Sequence, residues 1–102
     1  MEFSALLCAN DSSAIGAIRA LREAGREVPH DISAVGFGDD TYLAEHLTPA
    51  LTTIVSDTEL LGATAVQRLI ARAANPAAAS TVTMLNVRLA ERESVRPHPL
   101  RP

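Results

Sequence analysis

The chain has 102 residues, 47% hydrophobic and 21% charged, with a net charge of −3; that suits one small globular domain with a limited core and excludes a disordered composition. Its basic residues are all arginines, scattered rather than striped, so the chain carries no electrostatic footprint for nucleic acid. No apolar run approaches a membrane span, Met1-Glu2 opens without a basic start or an A-x-A cleavage site, and the single Cys8 excludes an intrachain disulfide; a cytoplasmic protein with no membrane partner is expected.

The first element is a short apolar strand, Phe3 to Ala9, running straight into Asn10-Asp11. Ser12 to Ala24 repeats Ile15, Ile18, Leu21 and Ala24 every third residue, one face of a helix that Gly25 closes. Either Asn10 or Asp11 can cap that helix, both being favoured residues there. Val28-Pro29-His30-Asp31 turns the chain into a second buried strand, Ile32 to Phe37, which ends in Gly36-Phe37-Gly38-Asp39-Asp40. Two strands joined by a helix are normally parallel with a right-handed crossover, so both C-terminal ends lie on one edge of the sheet. Open parallel sheets bind ligands outside that edge. Asn10, Asp11, Phe37, Asp39 and Asp40 are therefore expected close together.

Asp40 to Pro49 reads as a loop and Leu51 to Val55 as a β-branched strand. Ser56 and Glu59 have the spacing of a capping box, which starts a helix reaching about Ala74. Leu61, Ala65, Leu69 and Ala73 form its apolar stripe, widened by Val66 and Ile70, and Asn75-Pro76 ends it. Ala77 to Ser80 is a small-residue linker, and Val82 to Glu91 alternates as a final strand. The residues from Arg96 onward are too rich in Pro and Arg to pack and are expected to fray.

Nothing in this order suggests catalysis. His30, His46 and His98 lie in unrelated loops, with neither triad nor ligand spacing. Gly36 and Gly38 lack the third glycine and the following helix of a dinucleotide loop. Adjacent carboxylates at Asp39 and Asp40 do not make a metal site by themselves. Cys8, inside an apolar strand, reads as inert core. No enzyme, no metal and no cofactor are expected.

The stretch ALLCANDSSAIGAIRALREAGREVPHDISAVGFGDD resembles the LacI/GalR family of bacterial transcriptional regulators, in its effector-binding core. The family pattern there is roughly A-N-D-x-x-A-x-G-A-x-R-A-L-x-x-x-G-x-x-V-P-x-D-[IV]-[SA]-V-V-G-[FY]-[DG]-D. Downstream, LTPALTTI with LLGATAVQRLIAR is similar to the family's P-x-L-T-T-[IV] strand and following helix, and VRLAERESVRP is similar to its usual ending. The resemblance spans nearly the whole chain, in order, and corresponds to about the last third of a family member.

The resemblance implies an α/β fold with a partial Rossmann-like parallel sheet, half of a periplasmic-binding-protein-like (type I) core whose two lobes close on a small molecule. Residues 1–95 would form the C-terminal portion of the sugar-sensing domain and 96–102 a frayed tail, with the DNA-binding helix-turn-helix outside this chain. It further implies a homodimer that senses a sugar or sugar acid and binds DNA only through that absent motif. Asn10, at the end of the A-N-D strand, would reach the effector, leaving Asp11 as the helix cap. Phe37 would stack on a sugar face or fill the lobe core, and Ser56 would line the cleft. Gly38 stands where the family has its first Asp after G-[FY], and the carboxylate follows as Asp39. Fewer negative charges in the cleft would favour an acidic effector. Ile15, Arg19 and Leu47 are the implied dimer-interface residues. A periplasmic solute-binding protein of a transporter shares this fold and is the alternative; LTPALTTI and the R-E-S ending favour the regulator. A half-lobe alone exposes sheet edges and apolar helix faces, so it is expected to be marginal or self-associating.

Overall fold

The computed structural model describes residues 2–99. Its elements run β1 (Ala5–Leu7), α1 (Asp11–Glu23), β2 (Ser33–Phe37), α2 (Thr41–Ala44), β3 (Thr52–Ser56), α3 (Thr58–Ala74) and β4 (Val87–Ala90). The strands form one four-stranded sheet in the order β1-β2-β3-β4. β1 pairs parallel to β2, with Leu7 opposite Val35, and β2 pairs parallel to β3, with Phe37 opposite Ile54. This is the expected α/β parallel arrangement, and it brings the ends of β1 and β2 to one edge.

The chain divides into two compact units, one holding the segments through Val55 and from Arg88 onward, the other Ser56–Val87. In the first, α1 lays Ala14 and Ile18 against Cys8, Ala34, Ala44 and Leu51, with Leu6, Ala17, Val28 and Leu47 at the margin. Ala14 and Ala34 are fully buried and bring helix and sheet backbones close. α1 ends in a Schellman closure: the Arg26 N–H donates to the Leu21 carbonyl and the Gly25 N–H to that of Arg22. Gly25 has φ +77°, the left-handed turn this closure requires. On the sheet face away from α1, Leu7 stays 69% exposed.

In the second unit, α3 carries its apolar stripe in the open: Leu61, Val66, Leu69 and Ile70 are all exposed. Its partners within the unit are polar. Arg68 donates to the hydroxyls of Thr81 and Thr83, and Arg72 to the Ala78 carbonyl, which fastens the returning chain to the helix.

Several boundaries differ from expectation. α3 is capped by Asp57, which accepts the Leu60 N–H at 2.9 Å, so the Ser56–Glu59 capping box does not form. The loop from Asp40 to Pro49 contains α2, too short to leave a periodic signature. The last strand covers only Val87–Ala90; upstream of it, Arg68 engages the Thr81 and Thr83 side chains, and Val82 and Met84 are exposed. Of the tail, the Arg96 N–H donates to Ser33 Oγ at 3.1 Å, and residues 100–102 lie outside the described residues.

Candidate functional site

The candidate site is the edge where β1 and β2 end. Asn10 leaves β1 in extended backbone and caps α1, its Oδ1 accepting the Ser13 N–H at 2.7 Å. The cap is therefore Asn10, not Asp11. Asn10 is exposed, and among the described residues its side-chain amide nitrogen has no protein partner.

Asp11 turns inward and is 3% exposed. Its Oδ1 accepts the Thr53 hydroxyl at 2.6 Å and its Oδ2 accepts the Asp40 N–H at 2.6 Å. A carboxylate buried this far is tolerable only when both oxygens are satisfied, and the positive end of α1 adds to that. Gly36 is the reason it fits: a Cβ there would collide with Asp11 Oδ1 and with Leu51.

From Gly36 the chain passes through Phe37, 42% exposed at the end of β2, into a loop with several ties. The Gly38 N–H donates to the Ile54 carbonyl at 2.8 Å, and the Asp40 N–H goes to Asp11. Gly38 has φ +110°, a region in which a side chain is strained, so an aspartate could not simply replace it in this conformation. Asp39 has φ +51°. Its carboxylate faces Arg92, with Oδ1 accepting from Nη2 at 2.9 Å, and the two side chains are 7% and 16% exposed. Asp39 thus reaches the edge with its charge already paired.

Of the residues expected to converge, Asp11 and Asp40 meet directly, through the Asp40 N–H on Asp11 Oδ2, and that bond joins the two loops. Ser56 closes β3, half-buried, in the second unit. Ile15, Arg19 and Leu47 line one surface depression with Arg22, Thr48 and Pro49. Arg22 donates to the Thr48 carbonyl at 3.1 Å across it.

Three residues of this architecture were not picked out from sequence. Thr53 is the donor to Asp11. Arg92 also donates to the Leu51 carbonyl at 2.9 Å, and its backbone N–H donates to Thr52 Oγ. Ser94, fully buried, donates to the Ala34 carbonyl at 2.6 Å and accepts the Thr52 N–H at 2.8 Å, bridging β2 and β3. The R-E-S ending and the paired threonines were the available signals. Cys8 is buried, which pushes its thiol pKa up and its thiolate population down. Among the described residues, no group of His, Cys, Asp or Glu could hold a metal ion, and no helix is long and apolar enough to cross a membrane.

Residues 2–95 match the family model of the periplasmic binding protein-like domain. The chain is 40% identical over 98 residues to the HTH-type transcriptional repressor PurR of Salmonella paratyphi B, covering 96% of this chain and 28% of that protein. Among solved structures it is similar to a LacI family transcriptional regulator from Enterococcus faecalis with bound ribose (35% identity, TM-score 0.78, 97% of this chain and 37% of that one). It is also similar to the lac repressor dimer bound to operator and the anti-inducer ONPF (42% identity, TM-score 0.75, 90% of this chain and 32% of that one). The chain thus spans between 28% and 37% of the length of these relatives, which are regulators rather than transport proteins. It belongs to the periplasmic binding protein-like domain family, and the relatives it resembles here are LacI-family and related transcriptional regulators.

Proposed function

We propose that this chain is the effector-sensing portion of a cytoplasmic LacI-type regulator, a binding module rather than an enzyme. An effector in the cleft shifts the balance between two lobe arrangements and so changes operator binding by a dimer whose helix-turn-helix is carried elsewhere. The observation that carries this reading is that the C-terminal ends of two adjacent parallel strands present an exposed Asn10, whose side-chain amide nitrogen has no partner among the described residues, and a Phe37 ring 42% exposed. Asn10 donates to an effector hydroxyl or carboxylate and Phe37 offers it an apolar face. Asp39 belongs to the same loop, and Ile15, Arg19 and Leu47 are proposed to meet a second copy of the chain.

The effector is proposed to be a sugar or sugar acid. Gly38 brings no side chain to the loop, and the Asp39 charge is offset by Arg92, so an anionic effector meets less repulsion there.

The test is a chimera in which this chain replaces its matching segment of the lac repressor, assayed for operator binding against D-ribose and D-gluconate. Operator affinity that changes with at least one sugar, and stops changing in Asn10→Asp, is the expected result. A chimera that binds operator but ignores both sugars contradicts the reading. A response to ribose and none to gluconate removes the sugar-acid preference alone.

A further inference from the structure

We infer that Arg92 is a positioning residue for the effector loop, and that Asp39 contributes to recognition through Arg92 rather than by touching the effector. The inference rests on the proposed sensing role of the Phe37–Asp40 loop and goes beyond it by giving the loop a control point remote in sequence.

The geometry is specific. One face of the Arg92 guanidinium donates through Nη1 to the Leu51 carbonyl, where β3 begins, at 2.9 Å. Nη2 donates to Asp39 Oδ1, also at 2.9 Å, with Glu45 Oε1 at 3.7 Å. The Arg92 backbone N–H is fixed on Thr52 Oγ at 2.9 Å, so the side chain starts from an anchored point. A planar fork with several donors can hold a backbone carbonyl and a carboxylate at once, which a lysine ammonium matches only loosely. Because both side chains are largely buried, the pair is poorly screened; removing Arg92 leaves the Asp39 carboxylate desolvated without its cation, and removing Asp39 leaves Arg92 only the longer contact to Glu45.

What this pair restrains is the loop. Asp39 sits at φ +51° between Gly38 at φ +110° and Asp40, a path that needs support from outside. Gly38 is tied to β3 and Asp40 to Asp11, both through their backbone amides. Asp39 is the remaining residue, and its tie is the one made by a side chain to the segment after β4. Phe37 directly precedes this braced stretch, so its ring direction depends on it. The Asp39 carboxylate, turned to Arg92 and 7% exposed, would have to break this pair to serve an effector directly.

The test is amide hydrogen exchange on the 102-residue chain in Arg92→Gln, Arg92→Lys, Asp39→Asn and the Arg92→Gln/Asp39→Asn double variant. The single variants Arg92→Gln and Asp39→Asn should speed exchange at the Gly38 and Asp40 amides by about tenfold, leaving α1 and Ala34–Val35 unchanged. Arg92→Lys should fall between them and the parent, and the double variant should exchange no faster than the more affected single one, since both act on the same tie. Uniform acceleration across the chain, unmoved loop amides, or additive effects each overturn the inference. Arg92→Lys and Asp39→Asn are conservative enough to keep the comparison available if Arg92→Gln unfolds. In the sugar-responsive chimera, Asp39→Asn and Arg92→Gln should weaken the response to ribose or gluconate equally; a larger and additive loss for Asp39→Asn makes it a direct contact and overturns the inference. A chimera blind to both sugars counts against the sensing reading, while the exchange result decides the role of Arg92 by itself.

Discussion

The Asp11 carboxylate accepts the Thr53 hydroxyl at 2.6 Å across 42 residues of sequence, and this buried bond joins the start of α1 to the beginning of β3. Its other oxygen holds the Asp40 amide, so one side chain sets the spacing of two loops and a strand. Thr53→Val keeps the shape and removes the donor, leaving a buried carboxylate oxygen unpaired; a loss of about 1–3 kcal/mol is expected. Thr53→Ser should retain most of the stability. Gly36→Ala, whose methyl would collide with the same oxygen, should cost a comparable amount, about 1–3 kcal/mol. Urea unfolding followed by circular dichroism measures all three, and a Thr53→Val chain as stable as the parent would show the bond to be dispensable.

Asn10 caps α1 and is proposed to contact the effector, and the two roles are separable. Its Oδ1 makes the cap, and among the described residues its amide nitrogen has no hydrogen-bond partner. Asn10→Ala should destabilise the chain by about 1 kcal/mol through the lost cap, whereas Asn10→Asp keeps the acceptor and should change stability by only a few tenths. Asn10→Asp nevertheless removes the outward donor and adds a charge, so the sugar response of the chimera should disappear. Intact response in Asn10→Asp would remove Asn10 from the effector site.

The legible parts of this fold were local ones. α1 follows from Ile15, Ile18 and Leu21 with Gly25 behind them, and the parallel β1 and β2 follow from apolar runs flanking a helix. Both misplaced caps have one physical cause. Asn10 and Asp11, like Ser56 and Asp57, are neighbouring residues that cap about equally well by type, so propensity does not choose between them. At α1 the choice is made by Thr53 and the Asp40 amide, which draw Asp11 inward and leave the cap to Asn10. The other hidden feature is the clamp on the loop: Asp39 and Arg92 are 53 residues apart, and no periodicity or spacing encodes such a tie. Asp39 as a candidate was visible in the loop sequence; its partner was not. For α3 the periodicity was visible, but periodicity marks an apolar face without stating what covers it.

Asp31 predicts an acid-side dependence of stability. Its Oδ2 accepts the Glu27 N–H at 2.7 Å and its Oδ1 lies 3.3 Å from His30 Nδ1. The Glu27 amide first, and then His30, hold its carboxyl below the ordinary range. A carboxyl with a depressed folded pKa contributes stability above its unfolded value, about 3.9, and that contribution is lost as pH falls through the lower folded value. Asp31→Asn does not titrate. Unfolding at a series of pH values should therefore show the parent losing part of its advantage over Asp31→Asn on acidification below the ordinary Asp range, with a constant difference nearer neutrality. Parallel curves across that range would mean that Asp31 contributes nothing through its charge.

The open faces predict self-association of the isolated chain. Leu61, Leu69 and Ile70 on α3 are 54%, 67% and 64% exposed. Contiguous apolar surface of this kind is rarely left to water by a monomer, whereas single exposed leucines need no cover. On α3, Leu69 and Ile70 each lie three or four residues from both Val66 and Ala73, which places the four on one face rather than scattering them. Sedimentation equilibrium of the 102-residue chain should give a mean mass that rises with concentration. Leu69→Glu with Ile70→Glu should lower that mass at equal concentration and leave the exchange protection of α1 unchanged, because these residues belong to the second unit. A chain that stays monomeric at high concentration, or association indifferent to both substitutions, would show that this face does not drive it.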